Sequence, residues 1–143
     1  MIFKSFPILL VVTKINPNIS VKEDLTFACY ELRDDGIIVL RLTDELMIDF
    51  EKAQLMDMAL GRLTKEVPRK IFVLTGKFTS ADDKARTFLA SSAKIKQVEK
   101  VAVTIHSLSQ RIVANFFIKV NKPQFPVRFF TSAEQAEKWL LEN

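Results

Sequence analysis

The 143-residue chain holds three glycines, one cysteine, one histidine, one tyrosine and one tryptophan. These scarcities remove whole classes of function. Gly36, Gly61 and Gly76 lie far apart, so no glycine-rich loop gathers backbone N–H groups around a phosphate. A single cysteine, Cys29, excludes an internal disulfide, and with only His106 beside it a Cys/His zinc centre lacks ligands. Cys29 falls in a strand-like run and reads as a small buried residue. A Cys-His nucleophile pair has no local motif to support it. Neither a G-x-S-x-G elbow nor an H-E-x-x-H helix is present. Asp34-Asp35 is explained by a turn and Asp82-Asp83 by a helix start; Asp44 and Glu45 could be read as acid/base residues, and a solvated loop explains them as well. The expectation is a non-enzyme with no cofactor and no metal.

Strong charge of one sign is also missing. The formal net charge is +4, and the densest basic group, Arg62, Lys65, Arg69 and Lys70, is interrupted by Glu66 and carries no interleaved aromatics. A nucleic-acid surface would need a basic stripe or a stacking platform. Long apolar runs are short of membrane length: Phe6 to Val12 is far below a bilayer span. No A-x-A-like cleavage site follows it, and Asn16-Pro17-Asn18 reads as a breaker. Residues 1–20 are therefore expected to be a leader or a loosely attached edge strand, and residues 21–143 the domain.

What is present is regular. "LTFACYELR" and "GIIVLRL" are β-rich runs joined by Asp34-Asp35-Gly36, a hairpin signal because glycine accepts a positive φ. From Leu46 to Lys65 the period becomes helical, with Ala53, Met56, Leu60 and Leu63 in step behind Asp49 as cap. "KIFVLT" and "KVAVTIH" are continuous apolar runs, as strands buried on both faces should be. Between them a helix is expected from about Ala81 to Lys94. Ser107-Leu108-Ser109-Gln110 opens a third helix with a capping box. That helix carries two apolar stripes: Leu108, Ile112 and Phe116, and beside it Val113, Phe117 and Val120. "VRFF" is a last strand, and Thr131-x-x-Glu134 caps a final helix bearing Ala136, Trp139 and Leu140. The order reads ββαβαβαβα, an α/β domain whose mostly parallel sheet starts with an antiparallel hairpin.

The order of elements, the "YELRDDGIIVLRL" hairpin and "RIVANFFIKVNKPQFPVRFFTSAEQAEKWL" together resemble the small bacterial STAS-like proteins, related in fold to anti-sigma-factor antagonists. The resemblance spans about Leu25 to Leu141. It implies a single domain with a four- to five-stranded sheet, helices mainly on one face, and a regulatory or ligand-binding role. Related folds include lipid-transfer modules. Signalling members carry a D-S-[SG]-G-like motif whose serine is phosphorylated by a partner kinase. The matching stretch here is Thr79-Ser80-Ala81-Asp82-Asp83, without the glycine and with added acids.

Two readings of that stretch stay open. Ser80-x-x-Asp83 fits a capping-box variant, or Thr79 and Ser80 form a regulatory loop. Ligand crevices in open α/β sheets lie beyond the C-terminal strand ends. There Ser80, His106, Ser107 and Arg111 would meet an anion, unless they are a cap, a strand end and a solvated side chain. The functional expectation is a cytoplasmic domain that binds an unidentified protein partner, through an apolar patch near the third helix with its spare Phe117. The alternative is a carrier of a small apolar, lipid-like ligand in a pocket lined by Met56, Phe88 or Phe116. Neither nucleic-acid binding nor stable membrane insertion is expected, and a homodimer stays open.

Overall fold

The structure, a computed structural model, describes residues 21–92 and 97–143. The leader or edge segment expected over residues 1–20 lies outside the described residues.

The Asp34-Asp35-Gly36 turn forms as its chemistry requires. Gly36 takes a φ of +89° and donates its N–H to the Arg33 carbonyl at 3.0 Å. The Asp35 carboxylate accepts from the Ile37 N–H at 3.1 Å. This turn joins β2 (Ala28–Leu32) to β3 (Ile38–Leu42) in an antiparallel pair. A further strand, β1 (Val21–Leu25), pairs antiparallel with β2 and places Leu25 opposite Ala28.

The chain continues through β4 (Met47–Ile48), α1 (Phe50–Thr64), β5 (Arg69–Leu74), β6 (Ser80–Ala81) and α2 (Asp83–Ala90). It then forms β7 (Val98–Thr104), α3 (Leu108–Phe116), β8 (Val127–Phe130) and α4 (Ala133–Leu141). A π-helical turn, Phe117–Asn121, extends α3. The main sheet has six strands in the order β1-β2-β3-β5-β7-β8, and β4 pairs with β6 in a separate two-stranded sheet. Strands β3, β5, β7 and β8 run parallel.

Six strands exceed the four to five expected because the run "LTFACYELR" is not one strand. Its turn at Thr26-Phe27 carries neither glycine nor proline. β1 itself has only Val21 and Leu25 as half-buried apolar residues among charged ones. Nothing in composition marks that break.

Register explains the core. Ile38, Ile71 and Val101 are neighbours across β3, β5 and β7 and face one side; Val39, Phe72 and Ala102 face the other. Continuous apolar runs are needed because both faces are covered. On the first face α1 buries Ala53, Met56, Ala59 and Leu63, and α2 buries Ala85. On the second face α4 buries Ala136 and Leu140 completely. Burying such a leucine contributes about 1.5–3 kcal/mol. The Lys100 ammonium, on β7, donates to the Trp139 and Glu142 carbonyls at 2.6 and 2.8 Å, fixing the C-terminal end of α4. Helices thus lie mainly on one face, with α4 alone on the other.

Candidate functional site

The C-terminal ends of β5 and β7 are neighbours, as the anion-site expectation required, but their polar groups bind one another. The Thr75 hydroxyl donates to the Thr104 carbonyl at 2.6 Å. Gln110, in the first turn of α3, is buried. Its Oε1 accepts from the His106 N–H at 2.6 Å, and its Nε2 donates to the carbonyls of Gly76 and Thr79 at 2.9 and 3.1 Å. The Thr79 hydroxyl accepts from the Gly76 N–H at 2.8 Å and donates to the Thr43 carbonyl at 3.0 Å. The His106 Nε2 lies 2.9 Å from the Thr75 carbonyl, a contact made by the tautomer protonated there.

The expected set therefore divides. Thr79 and Ser80 line the interior side, whereas His106, Ser107 and Arg111 line a shallow surface groove with Leu108 and Thr131. A phosphate on Thr79 would break two hydrogen bonds, and on Ser80 it would enter an apolar cavity. Burying such a charge without partners is costly.

Helix caps settle where each helix begins. Ser107 caps α3 as expected, accepting from the Gln110 N–H at 3.1 Å. The Gln110 side chain reaches back one residue further than a capping box requires, to His106. Ser80 does not cap α2. Its residue is committed to β6, in register with Met47, and Asp82 caps the helix by accepting from the Ala85 N–H at 2.9 Å. In α4 likewise the cap is Ser132, accepting from Gln135 at 3.3 Å, rather than Thr131. Asp82→Ala should cost about 1 kcal/mol in urea unfolding. Ser80→Ala should leave α2 capped, and a cap-sized loss there would contradict the assignment.

An apolar cavity of about 220 Å³ lies between the sheet and the helices of the first face. Met56 lines it as expected, together with Tyr30, Val103, Phe117 and Phe129. Phe88 does not: it packs edge-on against Phe50, with ring centroids 5.4 Å apart. Phe116 points outward, beneath the Arg86 guanidinium at 5.8 Å from its ring centroid. The two stripes of α3 are therefore assigned opposite to expectation, with Val113 and Phe117 inward and Phe116 outward. Val120 leaves the inward stripe because the π turn, closed by the Lys122 N–H on the Phe117 carbonyl at 3.0 Å, widens the helix.

Tyr30 donates its hydroxyl to the Met56 carbonyl at 3.2 Å. Burial, reinforced by the charge of Asp57, pushes its phenol far above the ordinary range. The folded chain therefore holds this proton more tightly than the unfolded chain. The associated stability is complete below pH about 10 and declines as pH rises through and beyond that value. Ultraviolet titration of this sole tyrosine should show no ionisation step near pH 10 in the folded protein. Ordinary titration would contradict its burial.

Outside the cavity, α3 presents an apolar ridge to solvent. Leu108, Ile112, Phe116 and Val120 follow at every fourth position and are 73%, 55%, 50% and 57% exposed. Arg111 and Lys119 lie along one side of it and Lys122 follows its end, and residues 107–124 contain no Asp or Glu. Contiguous exposed apolar surface of this kind marks interaction sites. Among the described residues no group of acidic, histidine or cysteine side chains could hold a metal, and no helix is long and apolar enough to cross a membrane.

The fold is shared with an uncharacterised protein of the DUF3478 family from Shewanella loihica PV-4, whose crystal structure has a SpoIIAA-like fold. The two are 17% identical with a TM-score of 0.50, over 85% of this chain and 92% of that one. At that identity the likeness concerns architecture alone. No curated protein matches the chain. Residues 30–143 match the family model described as "Domain of unknown function (DUF7793)", from Tyr30 in β2 through the ridge of α3 to the last residue, and the chain belongs to that family.

Proposed function

We propose that this chain is a non-catalytic regulatory domain of the cytoplasm that acts by binding a protein partner through the outward face of α3. The observation that carries this reading is the ridge Leu108, Ile112, Phe116 and Val120, each at least half exposed. A soluble domain gains nothing from four such side chains in line unless something covers them. The SpoIIAA-like architecture is compatible with a regulatory role.

Leu108→Ser with Ile112→Ser tests it. Both side chains are mostly in solvent, so the double variant should unfold within about 0.5 kcal/mol of the parent per site. Affinity purification from the native host should then lose a protein that the parent retains. Equal recovery of the same proteins would contradict the proposal.

The cavity supports a second reading, a carrier or sensor of a small apolar ligand. Its volume of about 220 Å³ falls below the roughly 300 Å³ at which pockets for drug-sized ligands begin. That magnitude supports the exposed ridge over the cavity. Native mass spectrometry distinguishes them: a retained small apolar molecule in place of a second protein would favour the carrier.

A further inference from the structure

We infer that the partner covers the α3 ridge with an acidic amphipathic helix. This rests on the proposed docking at α3 and specifies the chemistry of what docks there. The length is suited to a helix: Leu108 to Val120 spans about 18 Å at 1.5 Å per residue, and side chains at every fourth position are the anchors by which one helix seats on another. The ridge is also narrow. Within α3 and its π turn only Ile118, 40% exposed, widens it, and the exposed Ser109, Arg111, Asn115 and Lys119 interrupt it, whereas a helix that lies in a lipid surface needs a broad apolar face.

Charge gives the sign. Arg111 and Lys119 border the ridge, Lys122 follows its end, and no carboxylate of residues 107–124 offsets them; Asp83, beside it on α2, is paired with Arg86 over Phe116. A partner whose apolar stripe is edged by Glu or Asp would pair with these cations at the rim, where solvent keeps the desolvation cost low. A partner edged by Lys or Arg would meet like charge along the Arg111–Lys119 side. The residues that hold α3 on the sheet are not consumed by this contact: Gln110 and Ala114 face inward, while Arg86, over the Phe116 ring, adds a further cation at the ridge.

The test places a photoreactive phenylalanine analogue at position 112 of the full chain in its native host and sequences the crosslinked peptide by mass spectrometry. An adduct on a helical segment rich in Asp and Glu is the expected result. Adding Arg111→Glu and Lys119→Glu should then lower its yield about tenfold, the scale of losing two rim pairs. An adduct on a neutral or basic segment of another protein, or a yield unchanged by charge reversal, overturns the inference and leaves partner docking standing. An adduct only on lipid, on a second copy or on residues 1–20 of the same chain, or no adduct at all, overturns both.

Discussion

Gly76→Ala is expected to destabilise the protein by about 3 kcal/mol. A Cβ at position 76 would lie 2.4 Å from the Asp44 carboxylate oxygen and 2.8 Å from both the Asp44 nitrogen and the Thr43 carbonyl carbon. The carboxylate can swing away, although it would release the Lys77 N–H it binds at 2.8 Å. The two backbone atoms cannot. Nor can Gly76 retreat freely, since its N–H is held by Thr79 and its carbonyl by Gln110. Overpacking of this kind costs about 1–3 kcal/mol, and each buried hydrogen bond broken to relieve it about 1–3 kcal/mol more. Urea unfolding measures it, and a loss below about 1 kcal/mol would show that the strand ends yield more easily than the contacts imply.

Gln110→Ala should cost about 2–4 kcal/mol. The side chain satisfies the His106 N–H and the Thr79 carbonyl, and its removal strands both where the residue itself is only 6% exposed; the Gly76 carbonyl is left with only the long 3.4 Å bond from the Thr79 N–H. Leaving a buried donor or acceptor unpaired costs more than the bond itself contributes. The loss is also local, because Gln110 ties the first turn of α3 to the β5–β6 loop and so orients the ridge proposed for docking. Amide hydrogen exchange should accelerate in 104–112 and 75–80 and spare α4 on the opposite face. Uniform acceleration through the molecule would mean that the network does not act locally.

Asp49 carries a smaller effect with a definite sign. Its carboxylate accepts from the Lys52 N–H at 2.9 Å, and that bond holds its pKa below the ordinary carboxylate value. Stability from this cap is present above the unfolded pKa and disappears as pH falls through the folded one.

Much of the fold was legible because it rests on local chemistry. The Asp34-Asp35-Gly36 turn, the Asp49 and Ser107 caps and the doubly buried runs of β5 and β7 are each decided by a few adjacent residues. The failures share a cause. Whether Ser80 caps a helix depends on Met47, far away in sequence, which recruits it into β6. Which stripe of α3 faces the sheet depends on what the sheet offers, and two apolar stripes on one helix leave periodicity with no preference. The π turn that releases Val120 has no sequence mark at all. Gln110 was visible as the last residue of a capping box, but its reach across to Gly76 and Thr79 is a tertiary fact.

The most direct measurement for the proposed docking face is hydrogen–deuterium exchange on the full chain, alone and together with a protein captured by it from the native host. Slowed exchange concentrated in 108–122, with the strands β1 and β2 unchanged, is the expected result. Protection confined to residues lining the cavity, or to β1 and β2 with α3 unaffected, would contradict the assignment of α3 as the surface through which this domain acts.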